Sequence, residues 1–214
     1  MSAGSLATLL VIAKEPVPGR VKTRLTPPYT PGEAAALAEA ALADTLHTVL
    51  RVPARRRVLV LAGAPGPWLP PGFDVAAQRA GGLDERIAAA FGLCDRGPAL
   101  LVGMDTPQLT AELVEEVGGD GHDAWFGPAA DGGFWALGIA EPARAAALVR
   151  GVPMSTRDTG AIQRRRLAEA GLRVSDLPVL RDVDTAADAA EVAARCAAGS
   201  RFAATVAALA RAGR

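Results

Sequence analysis

The chain has 214 residues, half of them hydrophobic, which suits one α/β domain with a sizeable core. Lysine plus arginine and aspartate plus glutamate both number 23, so there is no net charge to draw in nucleic acid or a membrane surface, and any electrostatic function has to be local. The two cysteines, Cys94 and Cys196, stand in Ala/Leu-rich helical patterns without metal-ligand spacing, which points to buried thiols in a reducing compartment and against a disulfide.

The first apolar run, Leu6–Ala13, reads as a buried strand. It is too short to span a bilayer and follows no cationic leader region, so a cytoplasmic protein without a membrane span is expected. AKEPVPGRVKTRL, Ala13 to Leu25, comes directly after it. Lys14, Arg20, Lys22 and Arg24 crowd a loop turned by Pro16, Pro18 and Gly19. Such cations repel one another unless an anion lies among them, and phosphate is the natural guest; the plain alternative is a solvated basic loop. Neither GxxxxGK[ST] nor GxGxxG occurs, so this is some other phosphate loop. A helix then begins with Thr30 as N-cap, Pro31 at the first position and Glu33 at the third.

Further along, Arg57–Ala62 and Phe73–Ala77 read as strands separated by a Pro/Gly loop, Ala62–Gly72. Ala99–Gly103 is a strand whose end leads into Asp105. An ionised Asp at a strand terminus, pinned by Thr106–Pro107, suits a hard divalent cation that also touches phosphate; it could equally cap a helix over Thr110–Val117. Ala124–Gly127 and Phe134–Ile139 flank Asp131–Gly132–Gly133. That turn is either a simple hairpin loop or a place where a second substrate approaches the backbone, with Asp131 reaching its hydroxyl. Leu172–Pro178 is the last strand. In VLRDVDTAAD, Val179 to Asp188, period two puts Asp182 and Asp184 on one side and Val183 inward. Adjacent carboxylates repel unless a cation or proton relieves them, although acids in a first helical turn capped by Thr185 are the alternative. The alanine-rich stretch Asp188–Arg211 reads as one helix or a pair packed on the sheet.

This alternation predicts an α/β fold: a three-layer, Rossmann-like, mostly parallel sheet with helices on both faces, spanning residues 1–214 as one domain. Ligands in such sheets bind beyond the carboxyl ends of the strands. There the cations of the first loop and the acids of two other strand ends would bind a nucleotide polyphosphate through a divalent metal, Mg²⁺ or Mn²⁺.

AKEPVPGRVKTRL, GMDTPQL, GPAADGGFWALG and DVDT, in that order, resemble the bacterial transferase family associated with radical-SAM and selenium-domain proteins, within the GT-A-like nucleotide-diphospho-sugar transferase superfamily. The resemblance runs from about Leu6 to Asp188. It implies that Lys14, Arg20, Lys22 and Arg24 hold the nucleotide phosphates, that Asp105 and Asp184 (with Asp182) hold the metal, and that Asp131, Gly132 and Gly133 face the acceptor. Asp105, Asp131 and Lys22 are then the catalytic candidates. QRAGGLDERIAAAF, Gln78 to Phe91, adds Gln78 and Arg86 as contacts to base or phosphates. Asp84 departs from the family's usual glycine and is read as a cap of the helix that follows. Met154 stands where relatives tend to carry tryptophan, and if that tryptophan packs on the acceptor the resemblance implies a different acceptor here.

Two reactions share such a site. In glycosyl transfer a sugar leaves its nucleoside diphosphate and Asp131 serves as base for the acceptor hydroxyl; in nucleotidyl transfer an acceptor phosphate attacks a nucleoside triphosphate and pyrophosphate leaves. The family label favours the first reading, and the dense cations together with KTRL, which resembles the loop of guanylyltransferases acting on phospholactate, favour the second. A nucleotide-binding protein without turnover is the third. The expected partners are a nucleotide-activated donor and a small-molecule acceptor. His47, inside the first helix, and His122, in a Gly/Asp turn, are convincing neither as base nor as ligand.

Overall fold

The computed structural model describes residues 6–115, 117–118 and 121–212. All seven expected strands form, with ends shifted by a residue or so: β1 Thr8–Lys14, β2 Arg56–Ala62, β3 Asp74–Ala77, β4 Ala99–Val102, β5 Ala124–Pro128, β6 Phe134–Ile139 and β7, which is shorter than expected at Val174–Asp176. They make one sheet in the order β3-β2-β1-β4-β6-β5-β7. The β1–β2, β1–β4, β2–β3 and β5–β7 pairs are parallel, while β6 runs antiparallel to both β4 and β5. The three-layer, mostly parallel arrangement is therefore as the sequence predicts.

Period-two alternation divides β1 between two cores. Leu9, Val11 and Ala13 face α1 (Pro31–Arg51), while Leu10 faces α2 (Leu83–Phe91), α3 (Ala145–Val149) and α4 (Thr159–Glu169). The alanine content of α1 has a packing cause. Ala35, Ala38, Leu42 and Leu46 lie on the sheet, and Ala34, Leu37, Ala40 and Ala41 lie against α5 (Ala186–Ala193) and α6 (Arg201–Ala212). A helix buried on two sides has little room for large residues. Its start matches the expected capping box: Thr30 Oγ1 accepts from the Glu33 N–H, and Glu33 Oε2 accepts from the Thr30 N–H at 2.7 Å. Thr185 and Asp188 do the same for α5.

Three expectations need correction. Thr110–Val117 folds as tight turns among its described residues (Glu116 lies outside them), and Gly118, at φ 91°, stops the segment before a second helical turn can form. Asp84 is an acid in the first turn of α2 but not its N-cap, a position that Gly82 takes. Glu85 accepts from the Gly82 N–H at the helix start, while Asp84 accepts from the Gly151 N–H at 2.8 Å and ties α2 to the loop after α3. Finally, Cys94 and Cys196 are free but only half-buried, since each stands just past the end of its helix, α2 or α5.

The β5–β6 hairpin depends on glycine. Gly132 has φ 92°, its carbonyl accepts from the Gly160 N–H in the first turn of α4, and a Cβ there would collide with the Arg157 backbone carbonyl. Gly132→Ala is expected to cost about 2–4 kcal/mol in denaturant unfolding, because steric collision adds to backbone strain. Gly151→Ala, with a similar φ of 76° but open space around it, is the control and is expected to cost about 1 kcal/mol. Equal costs for the two would show that contact with residues 157–160 does not hold the hairpin.

Candidate functional site

Parallel strands present their carboxyl ends on one edge of the sheet, and the expected residues gather there. Lys14, the last residue of β1, and Arg20, in the loop that follows, have exposed side chains with no hydrogen-bond or ion-pair partner among the described residues, and the Lys14 main-chain N–H donates to Met104 Sδ at 3.2 Å. Glu15, in the same loop, accepts from the Ala64 N–H at 2.9 Å and fastens the loop to the one after β2. Lys22 takes the left-handed conformation, φ 49° and ψ 40°, just before a single 3₁₀ turn at Thr23–Leu25 whose Leu25 is fully buried. That anchor directs the Lys22 side chain inward.

Its ammonium lies 2.9 Å from Asp105 Oδ1 and 3.4 Å from Asp184 Oδ1, with the lysine side chain only 8% exposed. Arg24, by contrast, is 76% exposed and reaches Asp184 Oδ2 at 3.3 Å. Of these two cations only Arg24 is at the surface; Lys22 is buried between carboxylates. Burial by itself would lower the Lys22 pKa, but the charges of Asp105, Asp184 and Asp182 and the hydrogen bond to Asp105 outweigh it and hold the ammonium above its ordinary value.

The acids come from distant segments and are set together by main-chain bonds. The Val183 N–H donates to the Asp105 carbonyl at 3.0 Å, and the Gln108 amide donates to the Arg181 carbonyl at 2.7 Å. Ala130 N–H donates to Leu180 O and Leu180 N–H to Pro128 O, which stitches the same strip to the hairpin. Val183 is buried, as its place between two acids predicts. Asp182 is then enclosed by carboxylates. Burial first, then Asp131, Asp105 and Asp184, against the opposing Lys22, push its pKa up to about 7.

The remaining expected residues sit at the same edge with local partners. Gln78, directly after β3, donates to the carbonyls of Ala13 and Val60, and its oxygen receives Arg86, which also donates to Gly82 O. Asp131 is exposed and accepts from the Gly133 N–H at 2.8 Å. Gly132 packs on residues 157–160, and Met154 is half-buried against the core that holds Phe134. Gln108 and Glu15, which align the site, were not singled out from the sequence; their only signal is a polar residue inside the GMDTPQL and AKEPVPGR segments.

Fit to a divalent cation can be judged from these contacts. Asp105 and Asp184 keep 40% and 35% of their side chains exposed, both reach one positive centre, and a crowded carboxylate lies behind them. Hard oxygen donors of this kind suit Mg²⁺ or Mn²⁺. Among the described residues no three acidic, histidine or cysteine side chains stand at metal-holding distance from one another, and Lys22 lies between the two nearest acids.

A family model described as "Uncharacterized protein conserved in bacteria (DUF2064)" matches residues 36–156. No curated protein sequence matches the chain. Among solved structures, a Desulfovibrio desulfuricans G20 protein provisionally named a nucleotide-diphospho-sugar transferase is 28% identical, with 96% of this chain and 94% of that one covered and a TM-score of 0.84. A cytidylyltransferase from Leptospira borgpetersenii serovar Hardjo-bovis (11% identity, 98% and 96% covered, TM-score 0.57) shares the fold. So does CMP:2-keto-3-deoxy-manno-octonic acid synthetase, solved with CTP (12% identity, 88% and 97% covered, TM-score 0.55).

The raised pKa of Asp182 sets a pH dependence. A carboxyl whose folded value lies above its unfolded one stabilises the fold in its neutral form below about pH 4, and that stability is lost as pH rises through about 7. In chelator, Asp182→Asn is expected to gain on the order of 2–3 kcal/mol over the parent protein between pH 4 and pH 8, read as diverging urea midpoints. Parallel pH profiles would mean that Asp182 is not crowded by its neighbours.

Proposed function

This chain belongs to the DUF2064 family, and from that premise we propose that it is a metal-dependent transferase that draws on a nucleotide-activated donor, with glycosyl transfer from a nucleotide-diphosphate sugar as its reaction. One observation carries the proposal: cations from the loop after β1 and acids from two distant segments meet in one place, with Lys22 touching both Asp105 and Asp184. Lys14 and Arg20, whose exposed side chains have no partner among the described residues, are suited to receive phosphate oxygens, and Arg24 can join them. Asp105 and Asp184 would hold the divalent cation, backed by Asp182; once bound it would neutralise charge on the phosphates and on the departing nucleotide.

Asp131 is the candidate base. The Gly133 N–H fixes one carboxylate oxygen and leaves the other to accept the proton of an acceptor hydroxyl. Gly132 and Gly133 bring the backbone of that hairpin to the acceptor side, and Gln78 with Arg86 would border the base of the nucleotide. The narrower resemblance, to transferases associated with radical-SAM and selenium-domain proteins, rests on the four sequence motifs alone. A reducing compartment such as the cytoplasm suits the two free thiols, and among the described residues no helix is long and apolar enough to cross a membrane.

Nucleotidyl transfer is the second reading, and the number of cations at one strand end favours it: a triphosphate needs more neutralisation than a sugar diphosphate. A thermal-shift series of nucleoside triphosphates against nucleotide-diphosphate sugars, with and without Mg²⁺ or Mn²⁺, identifies the donor, because a ligand that binds only the folded protein raises its Tm with concentration. Phosphorus NMR of the products then separates the reactions: nucleoside diphosphate released marks glycosyl transfer, pyrophosphate marks nucleotidyl transfer, and neither product with any acceptor leaves a binding protein.

Asp105→Asn is expected to stay folded and to lose the metal-dependent part of the nucleotide Tm shift. An undiminished shift would remove Asp105 from the site. Arg24→Ala is expected to weaken nucleotide binding about tenfold at low salt, with the gap closing at about 0.5 M salt because its contact is exposed. A gap that does not change with salt would argue against a phosphate contact.

A further inference from the structure

We propose that Lys22 is the built-in occupant of the divalent-cation site, holding Asp105 and Asp184 together in the nucleotide-free protein and leaving them for phosphate when cation and nucleotide enter as a pair. The inference rests on the reading above that Asp105 and Asp184 hold a divalent cation beside a polyphosphate. What it adds is that the protein resists binding the cation alone.

The choice of residue supports it. Of 23 basic side chains only two are lysines, Lys14 at the end of β1 and Lys22 in the loop that follows; every other one is arginine. Arginine is the better residue for a permanent carboxylate pair, because its planar fork binds two oxygens at once. A lysine ammonium is a compact point charge on a flexible four-carbon stem, close in shape to a small metal ion and free to move without shifting the backbone. The chain places lysine where the side chain is buried between two acids, and arginine at position 24, where the partner is at the surface.

The electrostatics support it as well. An ammonium within 3.4 Å of both carboxylates stands where a cation bridging them would stand, and two positive charges at that separation repel strongly in a partly buried site. Binding of a divalent ion therefore requires Lys22 to leave. Leaving strands a buried charge unless a new anion receives it, and the exposed Lys14 and Arg20 mark where a polyphosphate would lie on the same loop. Cation and nucleotide are then coupled: each removes an obstacle to the other.

Mn²⁺ binding measured by the paramagnetic resonance of the free ion, without nucleotide, tests this. Lys22→Met is expected to bind Mn²⁺ at least tenfold more tightly than the parent protein, and Lys22→Arg no more tightly. If Lys22→Met fails to fold, the parent protein carries the test. Acetylation of its two lysines, read by mass spectrometry with Lys14 as internal reference, is expected to rise at least fivefold at Lys22 in saturating Mn²⁺ and to fall again when nucleotide is added. Unchanged Mn²⁺ affinity in Lys22→Met, or Lys22 labelling that ignores Mn²⁺, overturns the exchange; where nucleotide binding still requires Mn²⁺, the functional reading survives it. A protein that binds no Mn²⁺ in any of these forms overturns both.

Discussion

The ion pairs of Lys22 with Asp105 and Asp184 are the constraint around which this end of the molecule is organised. A lysine with 8% of its side chain exposed pays a desolvation cost that only close carboxylates offset. The surrounding structure serves that contact. Leu25, buried three residues on, pins the loop; a left-handed residue at position 22 turns the side chain inward; and main-chain bonds from Val183 and Ala130 bring the second acid to the first. Removing either carboxylate would leave the buried ammonium with one of its two ion-pair partners.

The sheet explains why segments eighty residues apart can meet. Because β6 is inserted between β4 and β5, the hairpin tip carrying Asp131 returns to the carboxyl edge of the sheet, beside the end of β4 that leads to Asp105. The strip after β7 then runs across both, bridged to Ala129 through Leu180 and to Asp105 through Val183. Four acids thus face two cations at one point, and the local charge is negative even though the chain is neutral overall. The start of the same connection has the opposite imbalance, with the side chains of Lys14 and Arg20 unpaired among the described residues. A ligand made of a polyphosphate and a cation would satisfy both at once.

Much of this was legible in the sequence because it is encoded locally. Capping at Thr30 and Thr185 follows from side chains three residues apart, the seven strands from apolar runs bounded by turn residues, and the buried Val183 between two less buried aspartates from the two-residue repeat of extended chain. The misread segments are those where residue preference was overridden. Thr110–Val117 has helix-forming residues but is cut short by Gly118 at φ 91°, and Asp84 has a capping residue's chemistry but finds the Gly151 N–H, 67 positions away, instead.

The amino-acid order alone thus determined the fold class, the strands and the set of charged residues at the strand ends, since each depends on periodicity or on neighbours within a few positions. It could not rank the cations. Lys22 and Arg24 stand two residues apart in one basic run, yet one is buried between carboxylates and the other is in water, and only tertiary structure separates them. Likewise Gln108 and Glu15 align the site through bonds to main-chain atoms 73 and 49 positions away. The physical reason is common to both: burial and long-range hydrogen bonding depend on which surfaces the sheet brings face to face, and no local pattern records that.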